Sequence, residues 1–306
     1  MIVKKLIPLL LLTAMLTLLA ACGNAETGDG EKGTLTIGSK NFAEQFILGE
    51  MYAQLLEANG YTVERQLGLG STDILQTALV EGEIDIYPEY TSTGLLTVLK
   101  EEAVSSDRDA IYQQVKDGYA ERFQITWLDP APFNNTQALA VTRETSEARG
   151  LTTISQLAVQ SADLRIGAAP EFFEREDGLP GLRALYGEMP FADEKQLDSG
   201  AIRYEALLNG DIDVVTAYGT DGQIGGYDLV VLEDDKALWP PYQVAPILLQ
   251  STLDDHADIA EILNPIAPLL DDRTMAELNW QVDGENIEPD EVARTFLIEK
   301  GLLESE

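Results

Sequence analysis

Two tyrosines close two copies of one segment. Ala78-Leu-Val-Glu-Gly-Glu-Ile-Asp-Ile-Tyr-Pro-Glu-Tyr90 aligns without a gap against Ala206-Leu-Leu-Asn-Gly-Asp-Ile-Asp-Val-Val-Thr-Ala-Tyr218, so Tyr90 and Tyr218 hold the same place in two similar units. Two aromatic groups, one per unit, point to a cleft that closes on something small rather than to bond-making chemistry. The parts for catalysis are missing from the sequence. Cys22 is the only cysteine, His256 the only histidine, and no motif sets a serine with that histidine and an acid. His256 lies in an Asp-Asp-His-Ala-Asp run and reads as a surface residue at a helix start; a metal site would need more His or Cys. The acid clusters Glu233-Asp-Asp235 and Asp271-Asp272 lack the spacing, glycine and terminal glutamate of a calcium loop. No metal and no cofactor is expected, and the chain reads as a binder rather than an enzyme.

The elements that must position the tyrosines emerge from periodicity and breakers. Each copy reads as a helix end, a glycine suited to the left-handed C-terminal conformation (Gly82, Gly210), and a short strand. In an open α/β sheet a ligand sits beyond the carboxyl ends of the strands, where Tyr90 and Tyr218 fall. Upstream, Thr34-Leu-Thr-Ile-Gly38 reads as a strand and residues 43–59 as an amphipathic helix with Phe46, Ile47, Met51, Leu55 and Leu56 on one side. Residues 61–67 alternate as a strand, and Ser71-Thr-Asp73 opens a helix running to Val80. Leu164-Arg-Ile-Gly167 echoes Leu35-Thr-Ile-Gly38 at the start of the second unit. Short strands alternating with helices give an α/β fold with largely parallel sheets. Crossings between the two units are expected near 134–141 and 239–246, each leading into an apolar run, and residues 255–303 read as mainly helical. Trp127 and Trp280 read as core; Trp239, beside Pro240 and Pro241, reads equally well as core or as a residue near a crossing.

The N-terminus carries an address. Lys4 and Lys5 precede an apolar run from Leu6 to Leu19, which ends in Leu19-Ala-Ala-Cys22-Gly; this reads as a secretory signal (1–21) with a lipoprotein processing site. Acylation of Cys22 would hold the chain at a membrane face, at about 0.8 kcal/mol per buried methylene. Residues 22–33 then read as the lipidated cysteine and a flexible tether. The whole chain is acidic, with 53 Asp+Glu against 20 Lys+Arg and a formal net charge of -33. That sign argues against nucleic acid and anionic lipid surfaces as partners and fits a heavily solvated surface.

The residues also match a family. Gly38-Ser-Lys-Asn-Phe-Ala-Glu-Gln45, Gly82-Glu-Ile-Asp-Ile-Tyr-Pro-Glu-Tyr-Thr-Ser-Thr93-Gly, Phe133-Asn-Asn-Thr, Glu171-Phe-Phe-Glu-Arg175-Glu-Asp-Gly-Leu-Pro-Gly-Leu, Ala217-Tyr-Gly-Thr-Asp221-Gly and Leu232-Glu-Asp-Asp-Lys with Pro240-Pro-Tyr242 occur in that order. Together they resemble the substrate-binding proteins of osmoprotectant ABC transporters, which bind glycine betaine, choline, carnitine and related quaternary amines. The resemblance covers nearly the whole chain after the tether. It implies a bilobed, type II-like periplasmic-binding-protein fold: two α/β lobes on a two-segment hinge, residues 34–137 plus 243–306 as one lobe and 138–242 as the other. It also implies an extracytoplasmic, lipid-anchored location and an ABC permease as partner.

In that family the trimethylammonium head sits in a cage of tyrosines, and the resemblance gives the cage positions to Tyr90, Tyr218 and Tyr242. A quaternary ammonium has no N–H donor, so ring faces suit it; each contributes about 0.5 to 2 kcal/mol. Gln137 departs from the pattern, standing where many members carry a fourth tyrosine. It either hydrogen-bonds another part of the ligand or leaves a weaker cage, and the choice among betaine, carnitine, choline and ergothioneine stays open. Lys40, Thr93 and Arg175 match positions that hold a ligand carboxylate. Each has a plainer reading: Lys40 as a loop-surface charge, Thr93 as a cap for a helix starting at Gly94, and Arg175 as the partner of an acid such as Glu171. Gln45, Asn135 and Asp221 are further candidates to line the cleft, Asp221 equally well serving to tie down its own turn.

Overall fold

The computed structural model describes residues 32–197 and 201–305; the expected signal, Cys22 and most of the tether lie outside the described residues. Ten described strands form two five-stranded sheets built to one plan. The first contains β1 (Thr34–Gly38), β2 (Thr62–Gln66), β3 (Ile86–Tyr90), β4 (Ile125–Trp127) and β10 (Val244–Leu249), in the order β2-β1-β3-β10-β4. The second contains β5 (Gln137–Thr142), β6 (Arg165–Ala168), β7 (Asp193–Gln196), β8 (Val214–Tyr218) and β9 (Leu229–Leu232), in the order β7-β6-β8-β5-β9. The repeat read from the sequence is thus a repeat of strand order: β3 and β8, each ending on its tyrosine, occupy the centre of their sheets.

The sheets are not wholly parallel, and the exception is informative. In the first, β10 runs antiparallel to both β3 and β4; in the second, β5 runs antiparallel to both β8 and β9. These are the strands entered directly after the chain crosses between sheets. A segment arriving from the side on which the carboxyl ends of β3 and β8 lie has to run against them. The antiparallel register then brings the crossings to the tyrosines, pairing Tyr90 with Val244 and Tyr218 with Gln137.

Prolines in a central strand usually argue against the strand. Here Pro88 of β3 and Pro246 of β10 stand opposite each other in register, so neither needs an N–H for the ladder between them. Their carbonyls face outward and find other donors: the Gln45 amide at 3.0 Å for Pro88 and the Leu128 N–H at 3.0 Å for Pro246.

Both faces of each sheet are covered. On the first, one core gathers Ile47, Met51, Leu56 and Phe296, and the other gathers Tyr87, Tyr119 and Trp127. On the second, Leu157, Leu182 and Trp239 fill one side and Tyr204, Leu207 and Ile212 the other. The helix Ala43–Ala58 is buried around most of its circumference rather than along one stripe, because the C-terminal helices Asp272–Asp283 and Pro289–Glu299 cover its outer face. Trp127 is core, as read from the sequence, and Trp239 is buried in the second-sheet core. Trp280 is only half-buried, with Tyr227 edge-on to it at 5.0 Å. His256 ends the helix Gln250–Asp255 instead of starting one and lies edge-on to Tyr61.

The expected left-handed glycines are present, Gly82 with φ 72 and Gly210 with φ 71, each turning a helix into the strand that carries a tyrosine. Other glycines serve close approach. The short helix Gly222–Gly226 lies on Asp272–Asp283, where a Cβ on Gly226 would come within 2.3 Å of the Trp280 ring.

Candidate functional site

A cavity of ≈ 670 Å³ lies where the two sheets face each other at the ends of β3 and β8. Each wall is built from segments at the ends of strands. From the first sheet come Tyr90 at the end of β3, Thr93 in the helical turn after it, Lys40 and Phe42 from the connection after β1, and Glu44 from the first turn of the helix Ala43–Ala58. From the second come Tyr218 at the end of β8, its register partner Gln137, and Arg175, Arg203 and Asp221; Asn135 and Tyr242 enter from the crossings.

The two repeated tyrosines live in different surroundings. Tyr90 is 5% exposed and stacks near Phe42, ring centroids 6.4 Å apart and planes 19° from parallel. Its hydroxyl donates to Glu44 Oε1 at 2.6 Å. Burial first, and the Glu44 carboxylate second, hold the phenol well above its ordinary titration range. Tyr218 is 46% exposed, with the Arg203 guanidinium 5.9 Å from its ring centre. Tyr242 is half-buried, and burial pushes its hydroxyl up to about 12.

The basic groups on the walls all have acid partners. Lys40 is buried and pairs with Glu89 at 2.5 Å, its ammonium 5.0 Å from the Tyr90 ring centre; it is not a loop-surface charge. Arg175 makes a two-pronged bond to Asp177 at 2.7 and 2.5 Å, so the acid it meets is Asp177, and it remains more than half exposed. The same carboxylate accepts from Gln137 Nε2 at 3.1 Å. Arg175 pulls Asp177 below the usual carboxylate range. The side chain of Glu171, in the turn Pro170–Phe173, lies outside the described part of the molecule. Arg203 is 6% exposed and bonds Asp221 at 3.1 Å.

The remaining candidates divide. Asp221 ties down its own turn, accepting from the Tyr218 N–H at 2.9 Å and from the Tyr204 hydroxyl, and it also lines the cavity. Thr93 lines the cavity but caps nothing: Thr91–Thr93 is already helical and runs on into Gly94–Leu99, with no side-chain cap bond from Thr93. Gln45 is fully buried behind the wall, accepting from the Lys40 N–H at 3.1 Å and donating to Pro88 O. Asn135 reaches Glu44 at 2.8 Å.

Glu44 is a site residue that the sequence reading misses, although it sits inside the motif Gly38–Gln45. It is 2% exposed and accepts from Tyr90 Oη (2.6 Å), Asn135 Nδ2 (2.8 Å), Thr220 Oγ1 (2.5 Å) and Asn279 Nδ2 (3.0 Å). Burial raises its pKa, against the pull of those four donors. Phe42 is likewise legible as an aromatic in the same motif. Arg203, Tyr204 and Asn279 give no signal, being ordinary helix residues until the packing places them here.

Sequence and fold both have relatives among known proteins. Residues 33–299 match the family model described as the substrate binding domain of ABC-type glycine betaine transport system. A glycine-betaine-binding protein from Pseudomonas aeruginosa is 38% identical over 296 residues, covering 94% of each chain. An ergothioneine transport permease and binding protein from Helicobacter pylori is 33% identical over 273 residues, covering 89% of this chain and 48% of that one. A crystal structure of a glycine betaine/carnitine/choline ABC transporter protein superposes with a TM-score of 0.82 at 32% identity, covering 88% of this chain and 99% of the other.

Proposed function

Because the chain belongs to the family of substrate-binding domains of ABC-type glycine betaine transport systems, we propose that its cleft captures a quaternary-ammonium solute of the glycine betaine type and delivers it to an ABC permease. The observation that carries this reading is the placement of Tyr90 and Tyr218 on facing walls of one cavity, with Tyr242 beside them. A methylated cation offers no hydrogen-bond donor, and ring faces attract it electrostatically at about 0.5 to 2 kcal/mol each. The carboxylate of a betaine or carnitine would be met by Arg175, Thr93 and Lys40 on the same walls. Both bases are paired, Lys40 with Glu89 and Arg175 with Asp177, and Arg175 is the more exposed of the two.

Binding then favours the closed arrangement of the lobes, taken as residues 34–137 with 243–306 against 138–242. A ligand touching both walls stabilises the state in which the walls are near, and that state is the one presented to the permease. The chain acts by binding and release and carries out no chemistry. Acylation at Cys22 would keep it at an extracytoplasmic membrane face; among the described residues no helix is long and apolar enough to cross a membrane. Loss of the protein from the membrane fraction on Cys22→Ala checks that anchor.

The cavity is larger than glycine betaine requires, and Gln137 replaces a ring by an amide, so carnitine, choline and ergothioneine belong in the same test. A thermal-shift screen against these four amines, followed by calorimetry on those that raise the melting temperature, is expected to show binding of at least one trimethylated cation. A folded protein that none of them stabilises refutes the reading.

A further inference from the structure

Glu44 is a buried carboxylate without a positive partner. All four of its hydrogen-bond donors are neutral, and among the described residues no lysine or arginine forms a salt bridge with it. The bases nearest in the cleft are engaged elsewhere, Lys40 with Glu89 and Arg203 with Asp221. Buried charge is costly unless paired, and neutral donors offset only part of that cost. Glu44 nonetheless lines the cavity, and its partners span the site: Tyr90 on one wall and, two residues past Tyr218, the Thr220 hydroxyl on the other.

We infer that Glu44 is the counter-charge for the ligand's cationic nitrogen, and that it sets the site's preference for a cation over a neutral group of the same shape. The inference rests on the proposed function and deepens it. Two effects act in one direction. At 2% exposure the carboxylate is screened less than a charge at the surface, so its field favours positive charge in the cavity it lines. By accepting the hydrogen bond of the Tyr90 hydroxyl, Glu44 also pushes electron density into that ring and strengthens the face that a cation meets. The other ionisable groups around it are Tyr52 on its own helix, Tyr90 on β3, the two neutralised pairs, and Asp283 on the C-terminal helix. None of them supplies the missing positive charge.

The test compares glycine betaine with 3,3-dimethylbutanoate, in which carbon replaces the charged nitrogen and little else changes. Calorimetry on the unsubstituted full chain is expected to show a strong preference for betaine. In Glu44→Gln and Glu44→Ser that preference shrinks by about tenfold or more, equivalent to about 1.4 kcal/mol. Glu44→Asp, which keeps the charge, retains most of it. A structural role alone would weaken both ligands equally, so an unchanged ratio in either charge-removing variant that still melts cooperatively overturns the inference. Failure of the unsubstituted chain to bind betaine at all would instead overturn the functional reading, and this inference with it.

Discussion

Truncating Tyr218 separates binding from folding, because nearly half of its ring is exposed. At 46% exposure the side chain contributes little to either core, so Tyr218→Ala should fold almost as well as the unsubstituted protein. What it removes is one aromatic face of the cleft, worth about 0.5 to 2 kcal/mol to a bound cation, which corresponds to an affinity loss of about 2- to 30-fold. Tyr61 supplies the opposite case. It is 5% exposed, its hydroxyl bonds Asp258 at 2.5 Å, its ring meets His256, and it does not line the cavity. Tyr61→Ala should lower stability by about 3 to 5 kcal/mol through the space it leaves, while the folded fraction binds as before. Calorimetric titration with glycine betaine, alongside urea unfolding of each variant, reads both quantities. Equal affinity losses in the two variants, or unaltered binding in Tyr218→Ala, would remove the aromatic-wall assignment.

Three further outcomes rest on named contacts. Arg175→Ala breaks a largely exposed pair with Asp177, so stability should change by no more than about 1 kcal/mol, while the preference for betaine over choline, measured by competition, should largely vanish. Gly226→Ala would drive a Cβ to 2.3 Å from the Trp280 ring and should destabilise by about 1 to 3 kcal/mol, whereas Gly225→Ala, with nothing within 4 Å, should be neutral or stabilising in the same melt. Burial raises the Glu44 pKa in the folded state, so the folded protein holds that proton more tightly than the unfolded chain. The associated stability is fully present below about pH 4.5, the ordinary value, and is lost as pH rises through the folded value. Urea melts of Glu44→Gln should lack that decline, and the difference from the unsubstituted protein isolates it from Asp177 and Asp213, whose lowered pKa values act in the opposite sense.

Periodicity and the internal repeat make much of this architecture readable, because both are local. The pairing of Gly82 with Gly210 marks two helix-to-strand turns, and the tyrosines after them fall at strand ends as the repeat requires. Direction within the sheets is less legible. Nothing in the composition of residues 137–142 or 244–249 says that they run against their neighbours; that is decided by where the chain re-enters each sheet. The site is legible where it comes from motifs and opaque where it comes from packing. Asn279 is one polar residue in a C-terminal helix, and only the docking of that helix brings its amide within 3.0 Å of Glu44. The partners of Lys40 and Arg175 escape the sequence for a related reason: Glu89 and Asp177 sit within or beside the same motifs, but a charge pair is decided by side-chain direction, which a motif does not carry.

The repeat gives the two halves of the cleft the same backbone and different electrostatics. Tyr90 is held rigidly, with a carboxylate at its hydroxyl and a stacked Phe42 beside it. Tyr218 is open to solvent and lies beside a guanidinium. Across the cavity the field therefore points from the second wall, where Arg175 and Arg203 are each tempered by an aspartate, toward Glu44 on the first. On the proposed reading a zwitterion has one favoured orientation in such a field, its methylated nitrogen between Tyr90 and Tyr218 and its carboxylate toward Arg175. A cation lacking the carboxylate would use only the first half of that arrangement. Gln137, the register partner of Tyr218, donates to Asp177 beside Arg175, and on the same reading its amide is a partner for the ligand's polar end that a ring would not provide.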